Sequence, residues 1–101
     1  MTVRRGEIWY ADVPGDKRRP VVVLTRNSVL PRLTTILVAP VTTRIRNIPT
    51  EVPMSGLTRA CVANLDSITP LPKATLVERA GQLSRAELTA LCSAARFAIG
   101  C

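Results

Sequence analysis

Apolar residues at the start of the chain first alternate with polar ones and then run together. The stretch "RGEIWYADVP" alternates and predicts a strand from about Gly6 to Val13. Ile8 and Tyr10 would lie on one face of it and Trp9 on the other. The block "RPVVVLTR" is almost continuously aliphatic and indicates a second strand buried on both faces. Because the short link "PGDK" carries turn residues, the two strands are expected to form an antiparallel hairpin.

Shorter apolar blocks predict three more strands. The stretch "TTILVAPVTT" is typical of a third strand, interrupted by Pro40 at a bulge or at its end. A basic loop "RIRNIP" leads to a short strand around Thr50 to Pro53, and a turn at "MSGL" leads to another from about Arg59 to Asp66. Several short strands at this spacing favour a small barrel or a tightly curled sheet.

The last segment, "LSRAELTALCSAARFAIG", has the pattern of an amphipathic helix. Ser84 and Glu87 form a capping box at its start, with a hydrophobic staple between Leu83 and Leu88. Gly100 is expected to end it. Residues at helical spacing would pack on the sheet, namely Leu88, Leu91, Cys92, Ala95 and Ile99. The chain is therefore predicted to be one α+β domain, mostly β, spanning residues 1–101.

Length and cysteine content narrow the class of protein. The chain has 101 residues, of which 47% are hydrophobic, so a globular domain is favoured over disorder. No apolar run approaches the roughly 18 residues of a membrane helix, and no signal-peptide pattern opens the chain. The three cysteines are odd in number and match no metal motif, so they are expected to be reduced thiols. We therefore expect a cytoplasmic protein without a membrane segment.

Positive charge is concentrated in the first part of the chain. The net charge is +7, and residues 1–59 hold ten cations against four acids. Twelve of the fourteen cations are arginine, whose planar guanidinium suits bidentate contacts with phosphate. This asymmetry is typical of nucleic-acid binding, although an acidic protein partner would produce a similar pattern.

The absence of histidine restricts the available chemistry. It excludes a Ser-His-Asp triad, a two-histidine ribonuclease site and a histidine zinc site. The acids form no DxD or ExxE pair, and no phosphate-binding glycine loop is present, so no metal or cofactor is predicted. RNA cleavage by the substrate's own 2′-hydroxyl needs neither a histidine nor a metal ion. The protein need only orient the attack, stabilise charge on the phosphorane and assist proton transfer.

Several blocks together carry a family resemblance. In order, "RRGEIWYADVP", "RRPVVVLTR", "ILVAPVTT", a proline-containing strand, "VANLDSI" and a final helix resemble the MazF/PemK toxin endoribonucleases over nearly the whole chain. The resemblance implies an SH3-like small barrel of the MazF/CcdB type with a C-terminal helix. It also implies a homodimer, metal-independent cleavage of single-stranded RNA at short sequence motifs, and neutralisation by a cognate MazE-type antitoxin.

The same resemblance implies roles for individual residues. The arginine of the family's RP pair, which stabilises the phosphorane, maps to Arg19, and the hydroxyl residue that positions the phosphate maps to Thr42. The loop before Arg19 is shorter than in the family, and Asp16 is its only acid and a candidate proton acceptor. Where the family often has glutamine and then a basic residue, this chain has Asn64 and Asp66. The expected RNA-binding residues are Lys17, Arg18, Thr43, Arg44, Arg46 and Asn64.

Other interpretations stay open at this stage. The protein could be a non-catalytic toxin on the same barrel, such as a CcdB-like topoisomerase inhibitor, or an RNA-binding module. Thr42 or Thr43 could merely end a strand by bonding local backbone, and Asn64 could be a turn former. Trp9 is expected to lie in the core or in a dimer interface rather than to stack on an RNA base.

Overall fold

The computed structural model describes residues 2–101, which form seven strands and one α-helix. Three short 3-10 turns lie between them, at Leu30–Arg32, Leu65–Ser67 and Lys73–Thr75. The elements are β1 (Glu7–Ala11), β2 (Arg19–Val23), β3 (Thr35–Thr42), β4 (Glu51–Met54), β5 (Cys61–Asn64), β6 (Thr69–Pro72), β7 (Leu76–Gln82) and α1 (Arg85–Ile99).

The strands form an antiparallel sheet that curls around β3. The order is β4-β5-β3-β2-β1-β7, and β6 also pairs with β3. The first part of β3 pairs with β6 from Thr35 to Val38, and its last two residues pair with β5. The result is a curled half-barrel with one C-terminal helix, as expected for a small SH3-like barrel. The predicted β1–β2 hairpin is confirmed, with Ala11 opposite Arg19.

Two apolar cores lie on opposite faces of β1 and β2. Ile8 and Val22 belong to the core that also contains the helix residue Leu91. Trp9 and Val21 belong to the other core. The burial of β2 on both faces is therefore confirmed, and Trp9 is a core residue. Arg19 is thus attached to a strand that is fixed by packing from two sides.

Pro40 lies inside β3 and does not interrupt it, so the predicted break there is wrong. The carbonyl of Leu37 accepts a hydrogen bond from Leu24, so odd-numbered residues of β3 turn their backbone polar groups toward β2. The missing N–H of Pro40 therefore faces the other neighbour, in the gap between the pairings of Val38 with β6 and Val41 with β5. A proline removes no ladder bond at that position.

The helix begins and ends where predicted. Ser84 and Glu87 form the full capping box, and Gly100 follows the helix in the left-handed conformation. Leu91 is buried and Ala98 packs against the core, whereas Ile99 is 68% exposed. The expectation that Ile99 packs on the sheet is wrong because the buried stripe ends one residue earlier.

The sequence pattern did not predict two of the strands, β6 and β7. β6 has the sequence TPLP and β7 the sequence LVERAGQ, and neither shows clean alternation. β7 is an edge strand beside β1, and within residues 2–101 β6 pairs with β3 alone. Both are largely exposed, which is why their apolar signal is weak.

Candidate active site

A cleft of about 500 Å³ opens where the start of β2, the end of β3 and the β4–β5 connection meet. We call it the Arg19 cleft. None of its lining residues is acidic, and four are cationic. It is lined by Tyr10, Lys17, Arg18, Arg19, Pro20, Val41, Thr42, Thr43, Leu57, Thr58, Arg59 and Cys61.

Arg19 is the first residue of β2, so its backbone is held while its side chain remains in solvent. Its Nε lies 3.5 Å from Oδ1 of Asp16, and the two side chains are 63% and 52% exposed. The same Asp16 oxygen accepts a hydrogen bond of 2.7 Å from the backbone N–H of Lys17. The short loop therefore forms a turn that directs a carboxylate toward the guanidinium of Arg19.

Thr42 is the last residue of β3, opposite Val62 of β5. Its Oγ1 accepts a hydrogen bond of 3.1 Å from the backbone N–H of Arg44. That bond matches the alternative given above, in which Thr42 ends the strand by bonding local backbone. It uses an oxygen lone pair, so the hydroxyl proton stays available to donate to a phosphate oxygen.

A second cleft of about 350 Å³ adjoins the first at Thr42. We call it the Arg46 cleft, and it is lined by Pro40, Thr42, Arg44, Arg46 and Asn64. Of the nine predicted site residues, seven lie in just one of the two clefts and Thr42 lies in both. The ninth is Asp16, which lines neither cleft but contacts Arg19.

Arg46 is held by a buried carboxylate. Its Nε lies 3.1 Å from Oε2 of Glu51, and Oε1 of Glu51 accepts hydrogen bonds from the backbone N–H groups of Arg46 and Asn47. Burial by itself raises the pKa of Glu51, but these bonds and the nearby guanidinium bring that pKa below its ordinary value. The basic loop is therefore anchored to β4.

Asn64 and Asp66 both take part in local structure. Oδ1 of Asn64 accepts from the backbone N–H of Asp66 at 2.9 Å, and its Nδ2 donates to Ser67 Oγ at 3.2 Å. Oδ2 of Asp66 accepts from Thr50 Oγ1 at 2.6 Å. The predicted fifth strand accordingly ends at Asn64, which caps a 3-10 turn, two residues before its expected end.

Some cleft residues had no predicted role. Tyr10 reaches the cleft because it pairs with Pro20 across the hairpin, and Arg59 reaches it from the β4–β5 connection. The cross-strand position of Tyr10 follows from a hairpin register, whereas no local signal marks Arg59. Cys61 is buried, and burial raises the pKa of its thiol, which disfavours the nucleophilic thiolate.

Across residues 2–101, no group of three or more His, Cys, Asp or Glu side chains is arranged to hold a metal ion. No helix in the same range is long and apolar enough to cross a membrane. The Arg19 cleft presents the guanidinium groups of Arg18, Arg19 and Arg59 together with several hydroxyls, and Arg19 and Thr42 lie at strand ends. Such a surface can bind a phosphodiester and stabilise added negative charge on it.

Comparisons with known proteins find similarity to one toxin family over nearly the whole chain. A family model described as PemK-like, MazF-like toxin of type II toxin-antitoxin system matches residues 4–99. A probable endoribonuclease MazF5 of Mycobacterium tuberculosis is 41% identical over 101 residues, which cover 96% of this chain and 93% of the relative.

Solved structures are similar over the same extent. Mycobacterium tuberculosis toxin MazF-mt6 has a TM-score of 0.86 at 37% identity, covering 93% of this chain and 96% of that one. An endoribonuclease from a mycobacterial species, in complex with its cognate antitoxin, has a TM-score of 0.88 at 27% identity. That similarity covers 98% of this chain and 96% of the other.

Proposed function

Because the chain belongs to the PemK-like, MazF-like toxin family of type II toxin-antitoxin systems, we propose that it is a toxin that acts as an endoribonuclease. The observation that carries the proposal is the Arg19 cleft, where a strand-held arginine and the Thr42 hydroxyl share one cationic surface. Its substrate is single-stranded RNA, cut at a short sequence motif without a metal ion.

The reaction starts from the 2′-hydroxyl of the RNA. Its oxygen attacks the adjacent phosphorus and forms a P–O2′ bond while the P–O5′ bond breaks. The 2′ proton passes to an acceptor, and the leaving 5′ oxygen gains a proton. The products are a 2′,3′-cyclic phosphate and a 5′-hydroxyl end. Arg19 stabilises the extra charge on the phosphorane, and Thr42 donates to a phosphate oxygen and positions it.

Asp16 is the proposed proton acceptor. Support for this role is that its Oδ1 accepts a hydrogen bond from the backbone N–H of Lys17 and lies 3.5 Å from Nε of Arg19. Reach to the proton is the first requirement of a general base. The alternative is that Asp16 only closes the turn between β1 and β2.

The cations around the two clefts are proposed to bind RNA. Lys17 and Arg18 provide a positive electrostatic potential that attracts the RNA strand, and Thr43 contributes a second hydroxyl. Arg44 and Asn64 extend the surface into the Arg46 cleft, where Arg46 presents the part of its guanidinium not used by Glu51.

Partners follow from the family. We propose that a cognate MazE-type antitoxin neutralises the protein, that the protein is a homodimer, and that it works in the cytoplasm. An acidic, disordered antitoxin tail would compete with RNA for the same cationic surface. Support for an antitoxin is the mycobacterial endoribonuclease of similar fold that was solved with its cognate antitoxin.

Incubation of purified protein with mixed RNA in excess EDTA tests the function. Fragments with 5′-hydroxyl ends are expected, and single-stranded DNA of the same sequence should remain intact because it lacks the 2′-hydroxyl. Intact RNA together with a gel shift would contradict the enzyme and support an RNA-binding module. Intact RNA with topoisomerase inhibition would instead support the CcdB-like alternative.

A further inference from the structure

The connection between β4 and β5 forms one wall of the Arg19 cleft. It comprises residues 55–60, and its members Leu57, Thr58 and Arg59 all line the cleft. Met54 and Cys61 are the last paired residues on either side of it. Connections of this length exceed the two to five residues of tight hairpin loops, so turn chemistry alone does not determine their conformation.

Glu87 of the helix holds the beginning of this connection. Its Oε2 accepts hydrogen bonds from Ser55, at 2.8 Å from the backbone N–H and 3.0 Å from the hydroxyl. Its Oε1 accepts from the backbone N–H of Ser84, completing the capping box. One carboxylate therefore joins the start of α1 to the cleft wall. Burial raises the pKa of Glu87, but the bonds from Ser84 and Ser55 bring that pKa below its ordinary value.

A second contact holds the middle of the connection. Leu57 packs against the core that contains the inner face of α1. Gly56, between the two contacts, has φ +83°, a conformation that side chains rarely adopt. With Ser55 and Leu57 both held, Arg59 follows only two residues later. Its position relative to the cleft is therefore restricted.

Arg59 differs from Arg19 and Arg46, whereas Arg18 and Arg44 resemble it in having no carboxylate partner among residues 2–101. Arg19 and Arg46 are each paired with a carboxylate, whereas Arg59 is exposed and makes no ion pair with any residue from 2 to 101. Its charge is therefore available to a ligand. Arg59 enters the cleft from a different element than Arg19, so the two guanidinium groups can contact separate phosphates of one strand.

We propose that Arg59 is a further RNA-binding residue of the Arg19 cleft and that Glu87 is the positioning residue that holds Arg59 in place through Ser55. The proposal rests on the function proposed above. A residue with a restricted backbone position loses less conformational entropy when it contacts a phosphate than one in a mobile loop, so the Ser55–Glu87 contact increases affinity without touching RNA.

The first experiment measures KM and kcat for cleavage of a short RNA. Arg59→Ala is expected to raise KM about tenfold, as for the loss of one charge-assisted contact, and to change kcat less than about twofold. The matched control is Arg85→Ala, which removes an exposed arginine outside both clefts and should stay within about twofold. Equal KM values for the two variants would overturn the role of Arg59.

The second experiment separates positioning from helix capping. Glu87→Ala removes the capping box and the Ser55 contact, whereas Ser84→Ala weakens the capping box alone. Only Glu87→Ala should raise KM, by about fivefold to tenfold. In the Arg59→Ala background, Glu87→Ala should add little further increase, because the residue that it positions is gone. Equal effects of Glu87→Ala and Ser84→Ala, or fully additive effects with Arg59→Ala, would contradict positioning.

Ser55→Ala provides the same test with the capping box intact. It removes one of the two bonds to Glu87 and should raise KM about twofold to threefold, again only when Arg59 is present. An unchanged KM would count against the contact. A wild-type protein that cleaves no RNA would contradict the proposed function itself, and tenfold weaker RNA binding by Arg59→Ala would still support the Arg59 contact in that case.

Discussion

Replacing Arg19 with alanine is the most direct test of the proposed mechanism, since the structure separates its effect on activity from any effect on stability. The ion pair between Arg19 and Asp16 joins two side chains that are both more than half exposed. Exposed pairs of this kind contribute about 0–1 kcal/mol to the free energy of unfolding. The variant should therefore fold, with a melting temperature close to that of the wild type.

The expected loss of activity is much larger. Arg19 follows the β1–β2 turn at a backbone position that is paired with Ala11 and followed by a proline, so the guanidinium is attached to a fixed point. Removing one preorganised donor to a transition state commonly lowers kcat about 10²- to 10³-fold. Arg18→Ala is the matched control, because Arg18 lines the same cleft but precedes the strand.

The two variants should differ in magnitude and in salt dependence. Arg18 acts through a long-range field that is screened over about 10 Å at 0.1 M salt, so its removal should lower kcat/KM less than about tenfold, and less still at high salt. The loss in Arg19→Ala should persist at high salt because it affects the chemical step. Single-turnover cleavage at two salt concentrations measures both. Similar losses in the two folded variants would refute the assignment of Arg19.

Further predictions concern the rest of the site. Thr42→Ser should retain most activity and Thr42→Ala should lower kcat, measured in the same cleavage assay; equal rates would contradict a role for the hydroxyl. Asp16→Asn should lower the rate and change the acid limb of its pH profile, and an unchanged profile would reduce Asp16 to a turn residue. Arg44→Glu should weaken both RNA and antitoxin binding in gel-shift titrations, and undiminished antitoxin affinity would place the inhibitor elsewhere. Because the pKa of Glu51 is lower in the folded protein than its usual 4.5, its stabilising effect is present above about pH 4.5 and is lost as pH falls through the folded pKa. The Glu51→Gln variant should therefore be less stable than the wild type above about pH 4.5, and its free energy of unfolding should fall less steeply as the pH is lowered through this range. Parallel plots of unfolding free energy against pH for the two proteins would contradict that account.

The structure also explains why Arg44 alone, and not Arg44 together with Arg46, should be substituted to test the binding of RNA and antitoxin. Arg46 and Arg44 lie two residues apart in sequence, yet Arg46 bonds the buried Glu51 through both backbone and side chain. Placing glutamate at position 46 would put two carboxylates together beside β4 and destabilise the fold. Arg44 accepts substitution more readily because only its backbone N–H is used, by Thr42.

Local patterns in the sequence determined the central strands and the helix. Continuous burial of β2, the opposite faces of Ile8 and Trp9, and the capping box at Ser84 all depend on residues close together in the chain. The position of Arg19 at the start of a rigid strand follows from the same pattern. Its catalytic role came from the family resemblance, and it stays a prediction.

Only the tertiary structure decided which distant residues meet. Curling of the sheet around β3 brings Arg59 into the same cleft as the ends of β2 and β3, and the helix reaches the β4–β5 wall of that cleft through Glu87. The exposed strands β6 and β7 form because β3 and β1 offer them backbone partners, and their own sequences carry little signal. Hydrogen bonds between residues tens of positions apart have no local periodicity, so a pattern along the chain does not reveal them.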